Sequence, residues 1–325
     1  MASGICENYD LGIFYSTNPL WHRSPVYKVI DRPVEINEVK KVFAWEIEKK
    51  QLSYITNDGV QQYVDAFSLV RKDTQHILVA SVGKKFEAES NLRMVEIIEN
   101  SLLKKFPNLI IEGAGTLWQN QTAFIQMRAK EFQIKGDKSP MFTRMVYTNS
   151  LGISAYKALV HNERVVCANT LRIAESEGKA NRSLKKFSHL KGAFLKLDNY
   201  MEELAEQWLM IEKHNKVLES LTTQQVDTEM VNNFLKIVYP QTENMSEVAI
   251  SHTIGKRNQV VTQFNKDQDL DASVAFSKYG LLQAFTYVVD HEKLRKGDIK
   301  TYWSNISGDR MDSKAAAFDY LKKAA

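Results

Sequence analysis

Asn108–Asn149, NLIIEGAGTLWQNQTAFIQMRAKEFQIKGDKSPMFTRMVYTN, is the stretch whose reading decides the fold. Three runs rich in β-branched and aromatic residues, NLIIEGAGTLW, TAFIQMRAKEF and FTRMVYTN, are separated by breaks of Gln, Asn, Lys, Gly, Asp and Pro. That is strand composition with turn punctuation. Working towards the N-terminus, FSLVRKD (Phe67–Asp73) and HILVASVGKKFEA (His76–Ala88) repeat the pattern, so an antiparallel meander is predicted from about Ala66 onwards. Ser90–Phe106 interrupts it with apolar residues at 92, 94, 95, 98, 102 and 103, a Ser90 cap and Pro107 just beyond, which predicts a helix crossing the meander. Upstream, Val34–Lys49 places Ile36, Val39, Val42, Phe43 and Ile47 at helical spacing and is read as an amphipathic helix.

Downstream the period changes. TNSLGISAYKALVHNERVVCANTL (Thr148–Leu171) reads as a strand, a turn at Gly152, a second strand, then Arg164, Cys167, Asn169 and Thr170 entering a helix. Phe194, Leu197, Met201, Leu204, Trp208, Ile211, Asn215 and Leu218 then recur at alternating steps of three and four, the spacing of a helix–helix seam. Helices are further predicted over VDTEMVNNFLKIVY, which stops at Pro240, over Ala272–Val289, and over MDSKAAAFDYLKK with Asp312 or Ser313 near its cap. QTENMSE reads as a loop. The expected fold class is therefore α+β, an antiparallel strand meander with a crossing helix followed by a mainly helical half. The boundary is placed at residues 1–175 and 176–325, with the second part packed on the first as one unit or standing apart.

Composition bounds the function. The 325 residues carry 43 Lys+Arg against 39 Asp+Glu, a net charge of +4, enough to assist approach to a polyanion but too little to identify one. Cys6 and Cys167 are far apart and form no CxxC pair, which points to a reducing compartment. The N-terminal MASGICENYDLGIFY has neither a basic flank nor a following apolar run, and no stretch reaches the roughly 18 apolar residues of a spanning helix. A cytoplasmic location without membrane contact is expected, in the host cell if the gene belongs to a phage.

Histidines at 22, 76, 161, 189, 214, 252 and 291 form no HExxH or comparable spacing, so no metal and no cofactor is expected. Two catalytic readings compete with bland ones. Asp290 and His291 are either an acid–base pair or the end of a helix, and Cys167 with His161 is either a nucleophile with its base or a buried small side chain. The bland readings make the protein a non-enzyme. GxGxxG would need a glycine where Trp118 stands, so Gly113 and Gly115 are read as a bulge or close backbone approach in a strand. Trp118 itself either stacks on a nucleobase or belongs to the core.

The most informative segment is GKANRSLKKFSHLKGAFLKL, Gly178–Leu197, which carries Lys179, Arg182, Lys185, Lys186, Lys191 and Lys196 and no acidic residue. Projected as a helix at about 100° per residue, Arg182, Lys185, Lys186, His189 and Lys196 share one side, and Leu184, Phe187, Leu190, Phe194 and Leu197 the other. With Lys84, Lys85, Arg128 and Arg164 they make a candidate phosphate-binding set, the bland alternative being a solvated basic face. Phe194, Leu197, Met201, Leu204, Trp208, Ile211 and Leu218 are the candidate interface of a homo-oligomer, or the seam of an internal helix pair.

PLWHRSP, FSLVRKD, GAGTLW, the Thr148–Leu171 block, the helix after KFSH, YVVDH and SNISGDRMDSKAAAF together resemble the phage/plasmid-like protein family of domain of unknown function 932. The chain departs from the family pattern at LGISAY, where a more polar turn is common. The order of meander, crossing helix and helical half is also similar in outline to the single-strand annealing proteins of phage recombination. The family comes with no assigned chemistry and the second likeness is one of fold outline, so it is the acid-free basic segment that leads to the expectation of a mobile-element accessory protein binding nucleic acid, single-stranded DNA in replication or recombination. The alternative is an interaction module with a phage or host protein partner, such as an inhibitor of a host defence complex.

Overall fold

The computed structural model describes residues 11–15, 27–151, 156–164, 169–172, 184–190, 196, 199, 214–267, 269–291 and 309–324. Its strands are β1 (Gly12–Tyr15), β2 (Tyr27–Ile30), β3 (Ile47–Ile55), β4 (Gln61–Arg71), β5 (Ile77–Val82), β6 (Ile110–Leu117), β7 (Thr122–Phe132), β8 (Met141–Ser150), β9 (Tyr156–Arg164), β10 (Asn169–Arg172) and β11 (Leu184–Phe187). The helices are α1 (Ile36–Val42), α2 (Asn91–Ile97, continuing as a π-helical turn at Ile98–Leu103), α3 (Thr228–Val238), α4 (Glu247–Phe264), α5 (Ala272–Ala275), α6 (Lys278–His291) and α7 (Asp309–Lys323). Residues 214–222 are also helical.

The predicted α+β class holds, with a meander at its centre. One sheet runs β10-β9-β8-β7-β6-β1-β2 with β11 also on β9, and a second runs β3-β4-β5. Every ladder is antiparallel except the parallel pair of β1 with β2. The two β6 glycines do what their spacing suggested. The ladder slips between Ile111 and Gly113, and a Cβ on Gly113 would lie 2.3 Å from Cδ1 of Phe14, so β1 approaches β6 only because the side chain is missing. The crossing helix is capped as expected, Ser90 Oγ accepting from Arg93 N at 3.2 Å. With α1 it buries Val39, Met94, Val95, Ile98 and Leu102 on Ile111, Ala114, Ile125 and Met127, each side chain contributing about 1.5–3 kcal/mol of apolar transfer energy.

The helical half has its own core around Phe234, Val260, Tyr279, Leu282, Phe285 and Leu321, and Ile134 and Met141 of the meander enter it. Tyr279 Oη donates to Asp137 Oδ2 at 2.6 Å across that junction. α4 follows the QTENMSE loop directly, and the loop's Ser246 caps it, its Oγ accepting from Ala249 N at 3.3 Å. α7 starts at Asp309, earlier than the Asp312 or Ser313 cap.

Four readings need correction. The Val34–Lys49 helix ends at Val42, held at its start by Glu35 N donating to Glu38 Oε2 at 3.0 Å, and Ile47–Lys49 belong to β3 because the β4 ladder claims them. Asn169 and Thr170 do not enter a helix but pair with Arg164 and Glu163 as β10. Within Gly178–Leu197, residues Leu184–Phe187 are a strand whose ladder partners lie in β9, crossing back over the 175/176 boundary. Free edge groups on β9 offer backbone hydrogen bonds that a helical projection does not register. Leu218 is 0% exposed inside the helical core of its own chain, so it is an internal residue here, not part of an interface.

The small sheet has an unusual shape. At its base Trp45, Leu69, Leu78, Val82 and Leu151 form a core, but β3 and β4 run on past it as a two-stranded ribbon. Gln51 pairs with Phe67 and Ser53 with Tyr63, so the extra residues of the irregularity lie in β4 and β3 stays continuous. The tip turns at Thr56–Val60, where Gly59 takes φ +82°, Val60 N donates to Thr56 Oγ1 at 3.1 Å and Thr56 N donates to Val60 O at 2.9 Å.

Candidate nucleic-acid interface

Lys84 and Lys85 are exposed in the turn that follows β5. The chain directly after them meets Ser188–Leu190, the continuation of β11. Glu87 N donates to His189 O at 3.1 Å, and the rings of Phe86 and His189 lie 4.8 Å apart. Lys49 Nζ braces the turn by donating to Lys84 O at 2.7 Å and Phe86 O at 2.8 Å. Two lysine pairs about a hundred positions apart in sequence thus sit on segments joined by a backbone hydrogen bond: Lys84 and Lys85 on one, Lys185 and Lys186 on the other. In register, Lys185 lies opposite Ala158 and Lys186 opposite Lys157. Successive strand positions alternate between faces, so the single helical stripe that held both Lys185 and Lys186 does not exist.

His189 is not a basic surface group. It is 4% exposed, edge-on to Tyr156 with ring centroids 4.4 Å apart, and its Nε2 donates to Ser150 O at 2.9 Å. Burial holds its pKa below the usual imidazole value, against the opposing pull of the Ser150 carbonyl, so the ring is neutral and fastens β11 to the end of β8. Burial likewise raises the Tyr156 hydroxyl above its ordinary range, with the Glu89 carboxylate adding to the effect.

Trp118 is half-buried in the β6–β7 turn. Trp118, Gln119 and Asn120 have φ of 54°, 59° and 64°, three successive left-handed non-glycine residues, each costing on the order of 1 kcal/mol. The turn is held by Thr116 Oγ1 donating to Asn120 Oδ1 at 2.6 Å and Leu151 N donating to Gln121 O at 2.8 Å. Its tie to Leu151 brings it beside the Ser150–His189 contact.

Arg128 is committed to the protein itself. Its guanidinium lies 4.4 Å from the Phe142 ring centroid and 3.6 Å from Glu112 Oε1. Glu112 also receives Arg144 Nε at 2.6 Å and Gln126 Nε2 at 3.0 Å. Arg164 stands at the far end of β9, opposite Met141 and Asn169, away from the Lys157–Lys186 pair. Lys196 is exposed. Lys179, Arg182, Cys167 and the seam residues Phe194, Leu197, Met201, Leu204, Trp208 and Ile211 lie outside the described residues.

The candidate acid–base pair comes apart. Asp290 Oδ1 receives Lys314 Nζ at 2.6 Å with side chains 3% and 0% exposed, whereas His291 is exposed and stacks on Tyr287 at 4.0 Å. Among the described residues no group of three or more His, Cys, Asp or Glu side chains is placed to hold a metal ion, and no helix is long and apolar enough to cross a membrane.

Sequence reasoning missed the ribbon, on which Tyr54 is 56% exposed, Ile55 74% and Tyr63 62%. A signal was present: Asp58-Gly59 between SYIT and VQQYV is a hairpin dipeptide flanked by β-prone residues.

The family model described as "Domain of unknown function (DUF932)" matches residues 78–313, from within β5 to within α7. No curated protein and no solved structure matches the chain.

Proposed function

The chain belongs to the DUF932 family, whose description assigns no activity, and from the site itself we propose that it is a nucleic-acid-binding accessory protein, acting on single-stranded DNA in the replication or recombination of a phage or other mobile element. One observation carries this reading: the Lys84–Lys85 turn is fastened to the segment that carries Lys185 and Lys186. Exposed Lys84 and Lys85, on a turn whose following residues bond to a second lysine-bearing segment, suit backbone phosphates, whose counterions are released on contact. Neutral His189 takes no part beyond fastening the β11 segment to Ser150, and Arg128 is held by Glu112.

The test is the binding of a fluorescent single-stranded oligonucleotide over a salt series, comparing wild type with Lys84→Glu/Lys85→Glu. Both side chains are exposed, so the fold should survive. Affinity falls and the logarithmic salt slope shrinks by about 1.4, since each single-strand phosphate contact contributes about 0.7. A folded double variant with unchanged affinity and slope refutes the assignment.

A further inference from the structure

We propose that the β3–β4 ribbon is a dimerisation arm, in which the free edge of β3 pairs antiparallel with β3 of a second copy of this chain to make a continuous six-stranded sheet. This goes beyond nucleic-acid binding and does not depend on it.

β3 is the end strand of its sheet, nine residues long without proline, and among the described residues no strand pairs with its outer side. Such an edge presents a row of backbone donors and acceptors that template another strand. The ribbon it belongs to is also apolar where it meets water: Tyr54, Ile55, Val60 and Tyr63 are 49–74% exposed. Two strands alone are marginal in water, and a third strand beside them is the usual remedy.

Charge chooses the occupant. Beyond Glu48, Lys49 and Lys50 at the base of β3, residues 52–66 contain Asp58 and Asp65 and no Lys or Arg, so the exposed apolar end of the ribbon favours a protein strand over a polyanion. A second copy fits because β3 is complementary to itself. The symmetric register that pairs all nine residues puts Gln51 on the twofold axis, Ile47 opposite Ile55, Glu48 opposite Tyr54, Lys49 opposite Ser53 and Lys50 opposite Leu52. No like charges face each other, and Ile55, the most exposed large apolar residue of the ribbon, is covered by Ile47 of the other copy. Sliding each strand to bring Lys50 onto the axis would oppose Lys50 to itself and strand the tip, which disfavours that register. Because the irregularity in the β3–β4 ladder adds its residues to β4, β3 remains extended enough to pair along its length.

Light scattering over a concentration series tests the arm on the full chain without nucleic acid. Wild type is expected to approach twice the chain mass. Tyr54→Glu places a carboxylate opposite Glu48 of the other copy and should weaken association at least tenfold while circular dichroism stays that of the folded chain. Adding Glu48→Lys to Tyr54→Glu should restore the dimer, which a merely surface-active residue would not do. Gln51→Cys, with Cys6→Ser and Cys167→Ser, should give an oxidised crosslinked dimer, since the two thiols meet at the axis. A constant monomer mass at every concentration overturns the proposal. So does a dimer whose affinity ignores Tyr54→Glu and whose Gln51→Cys form does not crosslink. Loss of oligonucleotide binding by the Lys84→Glu/Lys85→Glu variant would leave these outcomes untouched.

Discussion

Acid should destabilise this protein through His214, and the size of the effect follows from where the ring sits. His214 is 5% exposed, its ring 4.8 Å from that of Phe318 on α7, and its Nε2 has no hydrogen-bond partner. Burial first, and the Lys322 ammonium second, push its pKa down to about 3 from an ordinary value of about 6.5. Because the folded value is the depressed one, the unfolded chain binds the extra proton between the two values. The contribution to stability is therefore complete above about pH 6.5 and is lost as pH falls from there towards about 3. At about pH 5 the gap to the unfolded value is about 1.5 units, and at about 1.4 kcal/mol per unit the loss is about 2 kcal/mol. His214→Phe keeps a ring against Phe318 and removes the titration. Urea unfolding followed by circular dichroism near pH 7.5 and near pH 5 should show wild type losing about 2 kcal/mol more than the variant between the two. His189, whose pKa is also lowered by burial, adds a loss of the same sign to both proteins and cancels in the difference. If variant and wild type lose stability equally, the buried neutral state of His214 is wrong.

Two further expectations concern packing. Lys314→Met removes the ammonium that neutralises the buried Asp290 carboxylate, so unfolding should become easier by about 3–5 kcal/mol, and Lys314→Met with Asp290→Leu should recover most of it; a single variant within about 1 kcal/mol of wild type would contradict the buried pair. Gly115→Ala puts a Cβ 2.6 Å from the backbone oxygen of Leu11, which cannot swing aside, so about 1–3 kcal/mol should be lost and β1 should become cleavable by protease, whereas an unchanged urea midpoint and protection would mean that β1 does not lie there.

The legible parts of the candidate site were those with local chemistry. Lys84 and Lys85 stand in a Gly-led break between strands, and a turn exposes them wherever the rest of the chain goes. The basic character of Gly178–Leu197 was equally plain, but its geometry was not. LKKF has no decisive preference, and its conformation is set by whether a strand edge with unsatisfied hydrogen bonds lies alongside. β9 supplies that edge, and the aromatic contacts of His189 with Phe86 and Tyr156 fasten the segment there. A histidine in a lysine-rich run looks like part of the charge, and only burial turns it into a neutral fastener.

By itself the sequence determined the central meander, the Ser90 cap of the crossing helix, the helix that ends ahead of Pro240, and Gly113 and Gly115 as a bulge or close backbone approach within a strand. Each of these depends on a side chain and its immediate neighbours: alternation along a strand, a hydroxyl or carboxylate over the first helical turn, or a missing Cβ. Tertiary structure alone decided that β3 replaces the end of a helix, that β10 and β11 share one edge of β9, that Leu218 is internal, and that the chain just after Lys84 and Lys85 bonds to the segment that continues β11. In those cases the deciding free energy is a hydrogen bond or an apolar contact with a segment tens of residues away, and a local window of sequence carries no term for a partner it does not contain.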